Sequence, residues 1–254
     1  MIVDPADPTR FLVELSDLRG PLPDQVRRHQ NALYAVVGWA HQYLVKPHPD
    51  LGRKGPVCPF AQGSLDKGLL YLAVHPGRPG TATEVADALA RYRQWYLELR
   101  ESAGRAAQYL TILVLFPDDA AGLVDEAQSR LKADYVARGL MIGEFHDGPP
   151  PKAGLWNPEF RPLRSPVPML VIRSLVPTDF PFLRDDRDFV AAYLDRVAPG
   201  DVPSRWRAEV GEVAAGFGLA GPPVVPLSTA APVAGSASAG HRGTEHASGH
   251  GGGA

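Results

Sequence analysis

The only cysteine of this 254-residue chain lies in a segment whose residue types suit thiol or metal chemistry. Cys58 follows Arg53 and Lys54, among glycines and prolines that disfavour regular secondary structure. Cationic neighbours lower the pKa of a thiol and favour the thiolate, which binds metals and attacks electrophiles. Pro59 removes one N–H that would otherwise bond the sulfur, which suits ligation of ferric haem. Alternatively, Cys58 is a small buried apolar residue. We call residues 48–61 the cysteine segment.

A histidine far downstream is the second candidate for chemistry. His146 follows the apolar residues 141–145 and precedes Asp147. Side chains at the junction of a strand and a loop commonly bind ligands. A neutral imidazole there can ligate iron, with its tautomer fixed by Asp147 or Glu144. The alternative is a histidine bonded to a loop carbonyl. His75, at the end of an earlier predicted strand, is a weaker candidate that we expect on the same edge of the sheet.

Two arginines lie in a proline-rich loop with two aromatic residues. Arg161 and Arg164 follow Trp156 and Phe160, and we call residues 156–164 the arginine loop. Arginine pairs bidentately with carboxylates, so these side chains suit a haem propionate or an acidic substrate. The alternative is a surface loop that its aromatic residues pin to the core.

The hydrophobic pattern predicts the elements that position these residues. Helices are expected over residues 23–45, 81–102, 118–138, 185–197 and 203–217. Strands are expected over residues 68–74, 108–116, 140–145 and 169–174. Two strand–helix–strand crossovers and a return strand predict an α+β fold, in which a mixed, mainly antiparallel sheet carries helices packed on one face.

The composition limits the domain organisation and the classes of function that the chain can have. We expect one domain over residues 1–218 and a disordered tail over residues 219–254, which are rich in Pro, Ser, Ala and Gly. The tail holds His241, His246 and His250, which we interpret as incidental. The net charge of -2 argues against nucleic-acid binding, and no apolar run is long enough to span a membrane. A single cysteine forms no internal disulfide, so we expect a cytoplasmic protein. We expect its partner to be a small-molecule substrate.

Three pieces of sequence resemble the uncharacterised domain family DUF6875. They are Gly-Arg-Lys-Gly-Pro-Val-Cys-Pro-Phe, Met-Ile-Gly-Glu-Phe-His, and the Arg-Pro-Leu-Arg loop before Pro-Met-Leu-Val-Ile-Arg. The resemblance spans residues 25–200. The layout is more distantly similar to the YqcI/YcgG family, whose wider group contains haem-dependent N-oxygenases that act on guanidine or amine nitrogen in specialised metabolism.

This distant similarity implies a role for each matching residue. Cys58 matches the early cysteine, His146 the histidine at the strand end, and Arg161 and Arg164 the arginine pair. The chain departs from the pattern in two places: Asp147 replaces a proline, and a longer proline-rich insertion separates His146 from the arginines.

Three hypotheses for the function follow. The first is a haem-binding monooxygenase in which His146 or Cys58 holds the iron and Arg53, Arg161 or Arg164 binds the propionates. The second is a non-catalytic ligand-binding or scaffolding domain. The third is a cofactor-free enzyme with Cys58 as nucleophile and His146 or His75 as base. All site hypotheses require the cysteine segment, His146 and the arginine loop to meet.

Overall fold

A mixed β-sheet forms the centre of the computed structural model, which describes residues 1–117, 121–151 and 156–221. Within these residues the sheet has six strands in the order β1-β2-β3-β4-β6-β5. The pair β3–β4 is parallel and the other pairs are antiparallel. The strands are β1 (Ile2–Val3), β2 (Phe11–Glu14), β3 (Leu70–Val74), β4 (Thr111–Leu115), β5 (Leu140–Phe145) and β6 (Met169–Ser174).

The start of one long helix and the end of another lie at residues whose chemistry explains these bounds. The Thr81 hydroxyl accepts a hydrogen bond from the Glu84 N–H at the start of α4, and Gly139, with φ of 71°, follows the end of α5 in a conformation that favours glycine. After α2 the chain continues as a π-helical turn, Ala40–Leu44. The helices are α1 (Asp24–Arg27), α2 (Gln30–Trp39), α3 (Ala61–Asp66), α4 (Ala82–Ala103), α5 (Ala121–Ala137), α6 (Arg187–Arg196) and α7 (Arg207–Gly216).

Alternating side chains of the strands build a core on each face of the sheet. On one face, Ile112 and Val114 of β4 pack with residues of α4 and α5. On the other face, Leu113 and Leu115 pack with Val36 of α2 and with residues of α1. A third cluster joins α6 and α7 to residues of α5 and β5. The end of β5 is therefore flanked by α5 on one face and by α2 on the other.

The α+β class and the mixed, mainly antiparallel sheet are confirmed, and one detail is corrected. Helices cover both faces of the sheet rather than one, because the central strands are apolar at successive positions. His75 and His146 lie at the same end of the sheet, as expected, because β3 and β5 run in the same direction. They are not on neighbouring strands, since β4 and β6 separate β3 from β5.

The predicted elements are otherwise found close to their expected positions. All four predicted strands are present, and β5 and β6 match their predicted bounds. The predicted helix over residues 23–45 is divided into α1, α2 and the π-helical turn. The division into a domain and a tail stays a prediction; residues 222–254, with the three tail histidines, lie outside the described residues.

Candidate functional site

A groove of about 600 Å³ lies between α2 and the loop that follows the arginine loop. Its α2 side presents residues spaced three or four apart, on the helix face away from the buried Leu33 and Val36. We call it the α2 groove. It is lined by Tyr34, Ala35, Gly38, Trp39, Gln42, Tyr43, Asp147, Arg164, Ser165 and Pro166.

Arg164 supplies the positive charge of the groove. Its Nε donates to Oδ1 of Asp147 at 2.7 Å, and its carbonyl accepts from Nε1 of Trp39 at 3.0 Å. A β-bridge also joins Arg164 to His146. The side chain is 67% exposed, and its two Nη atoms donate to no other group in the described part of the chain. The backbone is thus fixed while most of the guanidinium stays available to a ligand.

Aromatic side chains form the walls beside Arg164. The rings of Trp39 and Tyr43 stack with centroids 5.9 Å apart, and Trp39 meets Phe145 of β5 edge-on at 5.8 Å. The Tyr43 hydroxyl donates to the Pro162 carbonyl at 3.3 Å. Burial raises the pKa of Tyr43, and the charge of Arg164 acts in the opposite direction. Tyr43 therefore stays a neutral hydroxyl close to the guanidinium.

The cysteine segment and the arginine loop do meet, through aromatic contacts. The rings of His48 and Phe160 stack with centroids 4.4 Å apart, and Trp156 packs over Gly52, where a Cβ would overlap the indole. Cys58 takes no part in these contacts, and its N–H donates to the Leu44 carbonyl at 2.9 Å. The meeting of these segments supports the wall of the groove without bringing the thiol into it.

His146 faces the opposite side of the sheet and is 5% exposed. Its Nδ1 accepts from the Gly148 N–H at 3.1 Å, so in the neutral ring Nε2 carries the proton and donates to Oδ1 of Asp125 at 3.0 Å. Asp125, on α5, therefore fixes the tautomer, where the sequence suggested Asp147 or Glu144. Both nitrogens of the ring are occupied.

Of the five predicted cofactor-binding residues, Arg164 alone lines the groove within the described chain. Arg161 donates to the carbonyls of Pro158 and Phe160, and Arg53 donates to those of Lys54 and Val57. Each of these two arginines thus bonds within its own loop. Their assignment as ligands stays a prediction.

Sequence reasoning missed the residues that contribute most of the groove. The predicted helix over residues 23–45 contains four of them, and its apolar stripe alone indicates no ligand contact. These four are Tyr34, Gly38, Trp39 and Tyr43. The available signal was the spacing of these aromatic residues on the polar side of that stripe. Asp125 carried no such signal, since acidic residues are common on exposed helix faces.

The geometry does not fit haem in the way that the resemblance implies. Arg164 is suitable for a propionate, but within the described chain neither His146 nor Cys58 lines the groove, and both nitrogens of His146 are engaged. No cluster of three or more His, Cys, Asp or Glu side chains suited to a metal ion is found in the described ranges. The haem assignment stays a prediction, which an absorption spectrum of the purified protein tests.

Comparison with known proteins identifies the family and adds no activity. The family model DUF6875, a domain of unknown function, matches residues 33–209, which include the whole α2 groove, Cys58 and His146. Neither a curated protein nor a solved structure matches the chain. None of the described helices is long and apolar enough to cross a bilayer. The match extends over more than half of the sequence, and the chain therefore belongs to the DUF6875 family.

Proposed function

We propose that the protein binds a small organic acid in the α2 groove. The carboxylate binds the two Nη atoms of Arg164, and the apolar body of the ligand lies against Tyr34, Trp39 and Tyr43. The observation that carries the proposal is the state of Arg164, a lining residue of the groove: its backbone and Nε are held, its side chain is 67% exposed, and its Nη atoms have no hydrogen-bond partner in the described chain.

The dimensions and the side chains of the groove suit this role. Its volume falls within the range of about 300–1,000 Å³ that is usual for small-molecule sites. Hydrogen bonds between a guanidinium and a carboxylate are charge-assisted and directional. The ring of Trp39 is fixed by its contacts with Tyr43 and Phe145, so little side-chain entropy is lost when a ligand packs on it.

The proposal is one of binding, in line with the ligand-binding hypothesis. Ser165 lines the groove, but its hydroxyl donates to the Val167 carbonyl at 2.7 Å. No histidine or cysteine lines the groove in the described ranges, so a paired nucleophile and base is not formed there. The monooxygenase and Cys58-nucleophile hypotheses have no comparable support.

A screen with a matched pair of variants tests the proposal. Small carboxylic acids with phenyl, indolyl or alkyl bodies, amino acids included, are tested for a rise in the unfolding temperature, and the best is titrated calorimetrically. Arg164→Gln should weaken binding at least tenfold, because a charged hydrogen-bond donor is lost. Arg161→Gln should leave the Kd within twofold, because Arg161 bonds within its own loop.

Two outcomes overturn the proposal. One is that no acid at millimolar concentration raises the unfolding temperature of the wild-type protein. The other is that Arg164→Gln binds the selected acid as tightly as Arg161→Gln does, with both variants folded by circular dichroism.

A further inference from the structure

We infer that the acid bound in the α2 groove is a zwitterion, an α-amino acid or a close relative, whose ammonium group binds Asp147. The inference rests on the proposed function and adds the chemical class of the ligand. The observation behind it is that Arg164 does not stand alone in the groove, because Asp147 lines the groove beside it.

Asp147 resembles Arg164 in having one polar atom bonded and another available to a ligand. Its side chain is 83% exposed, Oδ1 accepts from Nε of Arg164, and Oδ2 accepts from no other group in the described chain. The pair is joined through a single N–H. Both residues line the groove, and the pair leaves two N–H-bearing nitrogens and one carboxylate oxygen without a hydrogen-bond partner in the described chain.

This arrangement disfavours a ligand that carries only a negative charge. A carboxylate on the Nη atoms of Arg164 also lies within a few ångströms of the Asp147 carboxylate. At such distances attraction and repulsion are of similar size, so the net Coulomb energy of a simple anion is small. A simple amine at Asp147 meets the same opposition from Arg164.

A ligand that carries both charged groups on the same carbon avoids this cancellation. Its carboxylate faces Arg164, its ammonium faces Oδ2 of Asp147, and each charge is opposite its partner. The aromatic walls are compatible with a cation, because the faces of Trp and Tyr rings attract ammonium groups. The open space at Gly38, where a Cβ would have no neighbour within 4 Å, leaves room for the body of the ligand.

Three probes that share a ring and differ in charge test the inference. They are L-phenylalanine, 3-phenylpropanoate, which lacks the amine, and 2-phenylethylamine, which lacks the carboxylate. Binding is measured by calorimetric titration at low ionic strength, where exposed charges are screened least. The wild-type protein should bind L-phenylalanine at least tenfold more tightly than either of the other probes.

Asp147→Asn and its control decide which side chain is responsible. Asp147→Asn should reduce the preference for L-phenylalanine over 3-phenylpropanoate to within about twofold. Glu159→Gln removes an exposed carboxylate from the arginine loop, away from the groove lining, and should keep the wild-type preference. Both side chains are exposed, and circular dichroism checks that each variant is folded.

Each outcome bears on one of the two proposals. Equal binding of L-phenylalanine and 3-phenylpropanoate, or an Asp147→Asn variant that keeps the wild-type preference, overturns the zwitterion and leaves the binding of an acid at Arg164 intact. Binding of 3-phenylpropanoate that is insensitive to Arg164→Gln overturns the proposed function. Failure of all three probes to bind at 10 mM rejects the zwitterionic class.

Discussion

His146 and Asp147 are consecutive residues at the end of β5, and their side chains have opposite surroundings. His146 is 5% exposed, on the face covered by α5, and hydrogen bonds occupy both of its ring nitrogens. The Asp147 side chain is 83% exposed, lines the α2 groove and has one of its two oxygens bonded. Successive residues of an extended chain point to opposite sides, so one step along the chain changes the environment completely.

The difference in surroundings indicates a supporting role for one side chain and a binding role for the other. A polar side chain that is buried with all its bonds made rigidifies its surroundings and has little capacity left for a ligand. His146 receives the Gly148 N–H, so it fixes the turn that contains Asp147. A charged side chain with a free lone pair in an open groove can exchange water for a ligand at small cost. In the proposed binding mode, His146 supports the turn and Asp147 contacts the ligand.

Removing the two side chains should give the largest contrast in stability. His146→Ala should lower the free energy of unfolding by about 3 kcal/mol, because it removes two hydrogen bonds and leaves a cavity in a buried site. Asp147→Ala should lower it by less than about 1 kcal/mol, because an exposed ion pair contributes little. Urea denaturation followed by circular dichroism measures both values.

The reverse order of these two effects would contradict the comparison. Equal losses would also contradict it, since they would mean that the Asp147–Arg164 pair stabilises the turn as much as the hydrogen bonds of His146 do. Asp125→Asn tests how much the bond from His146 to Asp125 contributes to stability. The asparagine keeps an oxygen that can accept the proton of Nε2, so the free energy of unfolding should fall less than in His146→Ala.

Filling the groove should give the next largest effect. It should weaken binding of the ligand without lowering the stability of the fold. Gly38 is helical and has open space where a Cβ would lie. Gly38→Leu should weaken binding of the selected acid by about 1–3 kcal/mol, because the new side chain occupies volume that the ligand needs. Helix propensity favours the replacement by up to about 1 kcal/mol, so the unfolding midpoint should not fall.

A second helical glycine provides the control for this substitution. Gly122 of α5 also has open space where a Cβ would lie, with no atom of the described chain outside its own helix within 4 Å, and it lies outside the α2 groove. Gly122→Leu should therefore leave the Kd of the acid within twofold. If both leucine variants bind as the wild-type protein does, the ligand does not occupy the space beside Gly38.

The fold could be predicted where the pattern is local and long. Residues 140–145 and 169–174 form strands with their predicted bounds, because continuous apolar runs between turn residues are a strong strand signal. The two-residue strand β1 and the four-residue strand β2 were missed, since their existence depends on pairing, of β1 with β2 and of β2 with β3, and not on their own pattern. The helices on the second face of the sheet were missed, because apolar residues at successive strand positions do not indicate which helix covers each face.

Of the predicted site residues in the described chain, only Arg164 lines the candidate groove, and the reason is physical. The arginine loop was identified from its residue types, and Arg164 does line the groove. Arg161 has the same side chain and the same loop, but its guanidinium bonds to nearby carbonyls. Which of two such arginines stays available depends on loop geometry. Cys58 and His146 were predicted as ligands from their residue types alone. Partners distant in sequence, such as Asp125, determine what His146 can bind.

The smallest expected effect concerns the bond that fixes the backbone of Arg164. Trp39→Phe keeps an aromatic ring beside Phe145 and removes the N–H that donates to the Arg164 carbonyl at 3.0 Å. We expect the free energy of unfolding to fall by about 1 kcal/mol, the net value of one hydrogen bond. Trp156→Phe is the control, because Trp156 is 73% exposed, and its effect should stay within about 0.5 kcal/mol. Affinity for the acid should fall modestly in Trp39→Phe and stay unchanged in Trp156→Phe. Unchanged affinity and stability in Trp39→Phe would mean that the arginine loop holds Arg164 in place without α2, and that the aromatic wall and the charged pair act independently.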